Sequence, residues 1–440
     1  MTKLEKTKVA VVGMGTVGTG VAKLLLDHGD RTARHAGRSL WLEQVVVRDI
    51  TKKRNADIPA GLISDDLSLI TGDPDIRVVA QLIGGLEPAR SIMLSLLESG
   101  KDVVTANKAL LAEHGPELFD RARELGRNIA FEASVAGGIP IVANIGQCLS
   151  ANQVLSVRAI LNGTSNYILS RMESDGLSFE EGVLEAQREG YAEADPTMDI
   201  DGTDATQKLA ILAHLAFGSR IHWSDIPRQG IEKLSQQDLF FAKQLGYRIR
   251  LLAIAQLHEQ GLEIHVSPTL VPIGQPLAEV RGPNNAVSVV GDAVGRVFFH
   301  GAGAGQMPTA SAVVADMIDT AVGRTDLTFR NLELWSDEEA KVGIQEPDKT
   351  ISRYFTRFMI KDQPGMLSKI AGVFGKNGIS IGSVIQHEAN AEQDTFVPLV
   401  ITTHESSAAA AEKTIREIEQ LDPVEPNSLC LRVLDTSGTR

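Results

Sequence analysis

The 440-residue chain is 43% hydrophobic and 22% charged, which excludes wholesale disorder and leaves enough apolar side chains for a sizeable core. Lys and Arg number 43 against 56 Asp and Glu, a formal charge of −13, and with no basic run beyond Lys52-Lys53-Arg54 a nucleic-acid binder is excluded. Cys148 and Cys430 lie far apart, so neither a disulfide framework nor a cysteine zinc site is expected.

The N-terminal apolar stretch is short and runs into a glycine loop, unlike a signal peptide, and no apolar run reaches the roughly 18 residues that a membrane span needs. A cytoplasmic protein of about three domains is therefore expected.

The first 145 residues alternate short apolar runs with amphipathic segments. Lys8–Val12, Leu42–Val47, Val78–Ile83, Val103–Thr105 and Asn128–Phe131 read as strands, and Gly18–His28, Pro88–Ser99 and Pro116–Leu125 as helices. The alternation predicts a doubly wound parallel sheet of α/β class. Residues 146–308 read as an α+β domain. Helical patterns occupy Ile168–Ser174, Ser178–Glu189 and Thr203–Phe217, and strands Arg248–Leu257, Glu263–Leu270 and Val287–Val290. A glycine-rich segment, His300–Gln306, leads to a helix near 309–325 that should return to the first domain.

Residues 326–350 end in a polar, aperiodic stretch and read as a linker. Residues 351–440 then run strand Tyr354–Lys361, turn Asp362–Gly365, a helix from Met366 capped by Gly378, strands Ile379–His387 and Thr395–Thr403, helix Ser407–Leu421 and strand Leu429–Leu434. This βαββαβ order is ferredoxin-like.

Gly13-Met14-Gly15-Thr16-Val17-Gly18 follows a strand and opens a helix, the context that gives G-x-G-x-x-G meaning as a dinucleotide site. Gly13 permits the tight turn, Gly15 lets the backbone approach a pyrophosphate, and Gly18 lets helix pack on strand. A purely structural glycine turn is the weaker alternative. After the second strand come Arg48 and Asp49, with Lys52, Lys53 and Arg54 in the same loop. An acidic residue there takes a ribose 2′-hydroxyl and an arginine a 2′-phosphate, so NADP is favoured and NAD stays open.

Glu193, Asp195, Asp199, Asp201 and Asp204 crowd the approach to an apolar helix that carries Lys208. Asp204 and Lys208, four apart, share one face. Helix capping accounts for some of these carboxylates but does not need five. A lysine on an apolar helix is a candidate for burial, which lowers its pKa toward proton-transfer range. Lys108 follows a strand at the sheet's C-terminal edge, where open α/β folds bind ligands. Cys148 has no histidine partner and reads as a core residue. No HExxH or similar pair supports zinc chemistry.

The glycine loop, Ile83-Gly84-Gly85, Ala106-Asn107-Lys108, Asn162-Gly163-Thr164-Ser165-Asn166-Tyr167, the Glu193-to-Lys208 string and Gly303-Ala304-Gly305 through Ala312 resemble homoserine dehydrogenase over about residues 8–325. The C-terminal unit resembles an ACT domain, a small-molecule sensor. No kinase-like region precedes the first strand, so the resemblance is to the monofunctional form. It implies a Rossmann-type domain, an α+β catalytic and dimerisation domain, and interconversion of L-homoserine and L-aspartate 4-semialdehyde with NAD(P), a step toward threonine, methionine and isoleucine.

By the same resemblance Lys208 is the acid/base, Lys108 assists at the nicotinamide and reacting carbon, and Asp204 orients the amino group or Lys208. Glu193, Asp199 and Asp204 hold substrate. Gly13, Gly15, Thr16, Val17, Gly18, Arg48, Thr105, Lys108, Gly303 and Gly305 meet the cofactor. A monovalent cation, usually Na⁺, falls to the Glu132 carboxylate and the carbonyls of Val135, Gly137 and Ile139, an all-oxygen set suited to a hard ion. In the ACT unit Asp362, Gln363, Gly365, Met366, Leu367, Asn377 and Ile379 match the ligand turn, with L-threonine the first candidate effector, and edge pairing of such sheets implies a homodimer or homotetramer. Two other readings stay open. A phosphorylating semialdehyde dehydrogenase would need a nucleophilic thiolate. A non-catalytic NADP and amino-acid sensor would have no need of Lys108, Glu193, Asp204 and Lys208 together.

Overall fold

Strand–helix alternation in the N-terminal third produces six parallel strands in a computed structural model, which describes residues 5–27, 29, 34, 36–59, 61–332, 342–387, 396–426 and 428–435. The strands are β1 (Lys6–Val12), β2 (Ser39–Val46), β3 (Ile63–Ser64), β4 (Ile76–Gln81), β5 (Asp102–Thr105) and β6 (Ile129–Ala130). Their order, β3-β2-β1-β4-β5-β6, is the Rossmann order. The apolar runs are uninterrupted because helices cover both faces. On one face Val9 and Val11 pack with Val21 of the Thr16–Asp27 helix and with Val313 and Met317 of the Gln306–Ala321 helix. That last helix arrives from far along the chain, and Gly20 lets it in: a Cβ there would lie 2.9 Å from the Ala310 Cβ.

A second, mixed sheet has ten strands. Its named path runs β11-β10-β7-β8-β9-β16-β12-β14-β13. The central part of the chain supplies β7 (Val154–Ile160), β8 (Tyr247–His258), β9 (Gly261–Pro272), β10 (Asn284–Gly291) and β11 (Gly295–Ala302). The C-terminal unit supplies β12 (Ile351–Ile360), β13 (Ile381–Gln386), β14 (Val397–Thr403), the short β15 (Ser406–Ser407) and β16 (Leu429–Val433), with helices Met366–Lys376 and Ala408–Glu419. The two halves join through a parallel pair, Arg432 beside Thr269 and Val433 beside Leu270. A buried ion pair between Arg357 on β12 and Asp238 on the Gln236–Gln244 helix, 2.5 Å apart, reinforces the seam.

Several expectations need correction. Strands β3, β7 and β11 and the Gln236–Gln244 helix were not anticipated; β7 reads Val-Leu-Ser-Val-Arg-Ala-Ile, and its partners on both sides, not its own pattern, decide it. The helix expected from Pro116 starts at Lys108, with a break at His114 (φ −119°, ψ 16°) ahead of Pro116. The expected linker opens inside the helix Arg324–Leu332, and Leu262 bridges Ile344 near its end. Its residues 333–341 lie outside the described residues, as does Thr395. Cys148 is exposed, on a single wide turn over Asn144–Cys148, and is not a core residue.

Candidate active site

Strand β7 delivers Leu161 and Asn162 to the start of the Gly163–Asp175 helix. Asn162 caps that helix, its Oδ1 accepting from the Ser165 N–H at 2.7 Å. Its Nδ2 is left to point the other way, and donates to Asp199 Oδ1 at 2.7 Å and Asp204 Oδ2 at 2.8 Å. Asp204 stands in the first turn of the Thr203–Phe217 helix, which starts at Gly202 (φ 85°) and ends at Gly218 (φ 63°), both left-handed positions that suit glycine. Four residues on, Lys208 Nζ donates to Asp204 Oδ2 and to the Leu161 carbonyl, each at 2.7 Å. The Leu161 carbonyl also accepts from Asn285 Nδ2 at 3.1 Å.

Lys108 comes from the other domain. Asn107 caps the Lys108–Glu124 helix through Leu110 N, and its Nδ2 donates to the carbonyls of Ile83 (2.9 Å) and Gly85 (2.7 Å). This clamp holds the ends of β4 and β5 together and aims Lys108 across the cleft, where its ammonium pairs with Asp204 Oδ1. One carboxylate thus takes a lysine from each domain, one on each oxygen.

The environment separates the three charges. Burial opposes ionisation of Asp204, but Lys208 and Lys108 outweigh it and hold the carboxyl far below its usual range. Burial lowers Lys208 despite Asp204, because Lys108 also repels its charge. Lys108 is also desolvated, yet Asp204, Asp199 and Glu193 together raise it. Burial and the neighbouring Asp204 raise Asp199. The two lysines are thus pushed in opposite directions, the condition that lets one of a pair exchange a proton while the other stays a cation. Glu193 is exposed, and its charge reaches Lys108.

The glycine loop has the shape its spacing implies. A Cβ on Gly13 (φ 98°) would lie 2.9 Å from the Leu82 backbone, and one on Gly18 would lie 2.1 Å from the Gly13 carbonyl oxygen. Around Gly15 a Cβ would meet nothing within 4 Å, so the space above the helix N-terminus is clear for phosphate. Gln306 Nε2 donates to the Thr16 carbonyl at 3.1 Å, which ties the start of the helix that follows Gly305 to the loop. Gly303 is a contact point: a Cβ there would overlap Asn285, and one on Gly137 would lie 2.4 Å from its carbonyl oxygen. Arg48 is exposed, while the Asp49 carboxylate accepts from Thr51 N (2.8 Å) and Thr51 Oγ1 (2.7 Å) within its own turn.

The Thr105 side chain is fully buried: its hydroxyl donates to Gln81 Oε1 at 3.2 Å and accepts from Asn107 N at 3.1 Å, and so positions Asn107. Asn162 and Asn107 were quoted only as parts of motifs. Their position as helix caps at strand ends was the available signal, since a capping amide has a second end to spend.

At the other proposed sites, Glu132 is buried and accepts from Val142 N (2.9 Å) and Ala143 N (2.7 Å). The loop after it contains Ala136 at φ 56°, the sole non-glycine with positive φ among the described residues, followed by Gly137 at φ 52°. In the C-terminal unit Asp362, Gln363, Gly365 and Leu367 are exposed, whereas Met366 and Ile379 pack in the core and have no side chain to offer a ligand. Asn377 Nδ2 donates to Val373 O and Glu417 Oε2.

Comparison with known proteins agrees with this geometry. Family models described as "Homoserine dehydrogenase, NAD binding domain", "Homoserine dehydrogenase" and "ACT domain" match residues 13–132, 140–318 and 354–420. The homoserine dehydrogenase of Pseudomonas aeruginosa is 42% identical over 98% of this chain and 99% of its own. A crystal structure of a homoserine dehydrogenase from Thiobacillus denitrificans superposes with a TM-score of 0.90 at 38% identity, covering 98% of this chain and 99% of that one. A hyperthermophilic archaeal homoserine dehydrogenase in complex with NADPH matches with a TM-score of 0.60 at 25% identity, covering 72% and 98%. With a dinucleotide loop on the parallel sheet and a lysine–carboxylate–lysine bridge that joins that unit to the next, the chain belongs to the homoserine dehydrogenase family, NAD(P)-dependent oxidoreductases acting on a CH–OH group.

Proposed function

We propose that this enzyme interconverts L-homoserine and L-aspartate 4-semialdehyde with Lys208 as acid/base and Lys108 as electrostatic partner, preferring NADP. The observation that carries the assignment is the Asp204 carboxylate shared between lysines of two domains. When bound, the dinucleotide accepts or returns the hydride. The protein's part is positioning and proton management. In alcohol oxidation the neutral Lys208 amine takes the hydroxyl proton as C–H electrons leave the same carbon. In the reverse direction the Lys208 ammonium protonates the oxygen that becomes the hydroxyl. Lys108, kept positive by Asp204, stabilises negative charge growing on that oxygen. Glu193 and Asp199 hold the substrate ammonium, whose arrival relieves the unfavourable ionisation of Asp199.

Arg48 is free to meet a 2′-phosphate while Asp49 is engaged in its own turn, which supports NADP, as does NADPH in the archaeal relative. Glu132 with the carbonyls of Val135, Gly137 and Ile139 would hold a monovalent cation. The left-handed backbone at Ala136 and Gly137 and the upward push of burial on the Glu132 carboxyl, which a cation would reverse, both fit that donor set. The ion's role would be structural. The ACT unit would take L-threonine at the Asp362–Gly365 turn and give feedback control of threonine and methionine synthesis. Its exposed edge strand β13 supports assembly as a homodimer or homotetramer.

Neither cysteine supports the thiolate alternative: Cys148 sits exposed at the end of the Asn144–Cys148 turn, and burial pushes the Cys430 thiol up to about 12. The test is homoserine-dependent reduction of NADP⁺ and of NAD⁺, followed by absorbance on the full chain. Turnover with NADP⁺ favoured supports the reading. Absence of turnover with either cofactor by folded protein contradicts it and favours a sensor.

A further inference from the structure

Where the mixed sheet passes from β9 to β16, a cavity of about 350 Å³ opens between the catalytic domain and the ACT unit. That volume lies in the range of small-molecule sites. Its walls come from separate parts of the chain. Arg220 and Asp225 lie on the segment after the Thr203–Phe217 helix, Ile264 on β9, Gln345 on the stretch before β12, and Arg432 on β16. Gln345 is 8% exposed, and its Oε1 is buried without a hydrogen-bond partner. Among the described residues neither Arg220 nor Arg432 forms an ion pair, although Arg432 lies near enough to Glu263 to favour its ionised form.

We propose that this cavity binds a free α-amino acid, its carboxylate on Arg220 and Arg432 and its ammonium on Asp225 and the Gln345 carbonyl. Two cations, one anion and one unmet acceptor complement a zwitterion better than a plain anion. Ile221 and Ile264 offer apolar walls to a small side chain. The site is separate from the Asp362–Gly365 turn.

Its position also ties it to catalysis. Arg220 stands two residues beyond Gly218, the end of the helix bearing Asp204 and Lys208. Trp223 on the same segment donates from Nε1 to Glu113 Oε2 at 2.8 Å, on the helix that begins with Lys108. A ligand that draws Arg220 toward β16 therefore bears on the helices of both catalytic lysines.

The test is calorimetric titration of the full chain with each common L-amino acid, homoserine excluded, and with inorganic phosphate. It is repeated on Arg220→Gln, Asp225→Asn and, as a control for the ACT turn, Asp362→Asn. Homoserine turnover of each variant without added ligand is measured separately, so that loss of ligand binding is not confused with loss of folded enzyme. One amino acid should bind the parent and lose at least about tenfold in affinity in both Arg220→Gln and Asp225→Asn, but not in Asp362→Asn. Loss confined to Asp362→Asn, no binding of any amino acid below about 10 mM, or phosphate binding that is indifferent to Asp225→Asn would each overturn the proposal. In any of these cases intact homoserine turnover would leave the enzymatic reading standing.

Discussion

Lys208 Nζ stands 2.7 Å from Asp204 Oδ2, and both side chains are almost wholly withdrawn from water. Such a pair cannot be treated as a surface i,i+4 bridge, because removing the carboxylate leaves a buried cation uncompensated. Asp204→Asn should therefore lower the pKa of Lys208 further. In aldehyde reduction, which needs the protonated amine, the alkaline fall in rate should begin at lower pH than in the parent. A pH profile of kcat for both proteins checks this, and an unshifted alkaline limb would separate Asp204 from the proton step.

The glycine loop offers a contrast between two neighbouring positions. Gly15→Val fills space that is open in the fold, so it should leave the melting temperature nearly unchanged and raise the KM for the dinucleotide by about tenfold or more. Gly18→Ala brings a Cβ against the Gly13 carbonyl, so it should lower stability as well. Thermal melts beside initial rates distinguish the two effects.

Arg48→Ala should raise the KM for NADP⁺ by about tenfold or more and leave that for NAD⁺ little changed, since only a 2′-phosphate gives the guanidinium a partner. Initial-rate kinetics with both cofactors measure the ratio.

His265 lies at the seam between β9 and the ACT unit. Burial, with Arg432 nearby, lowers it to about 4. Below its ordinary value of 6.5 the unfolded chain takes up a proton that the folded chain refuses, so stability falls as pH drops from there toward 4. His258, raised by its bond to Glu263, works in the opposite sense and stabilises at low pH. Replacing His265 by Gln should flatten the decline of melting temperature between about pH 7 and about pH 5.

The sequence made the chemistry more legible than the scaffold around it. Gly13, Gly15 and Gly18 announce themselves because the turn, the approach and the packing each demand glycine. Asp204 and Lys208 do so because a charged pair on an apolar helix needs a reason. Their bridge to Lys108 was not legible, because 96 positions and a domain boundary separate Lys108 from its carboxylate. Asn107 and Asn162 were missed as positioning residues, since an amide that caps a helix looks complete until its second contact is seen. Strands β7 and β11 escaped notice because long-range pairing decides strands more than local pattern does. For the same reason nothing predicted that β16 would join β9 into one sheet.

The most direct measurement is homoserine-dependent NADP⁺ reduction by the parent and by Lys208→Ala, each across pH. The account predicts a parent rate that rises as Lys208 loses its proton. In the variant kcat should fall about 10²–10⁴-fold with little change in the KM for homoserine, and the pH-dependent limb should disappear. A variant that keeps the parent's kcat and pH profile would contradict the assignment of Lys208 as the acid/base.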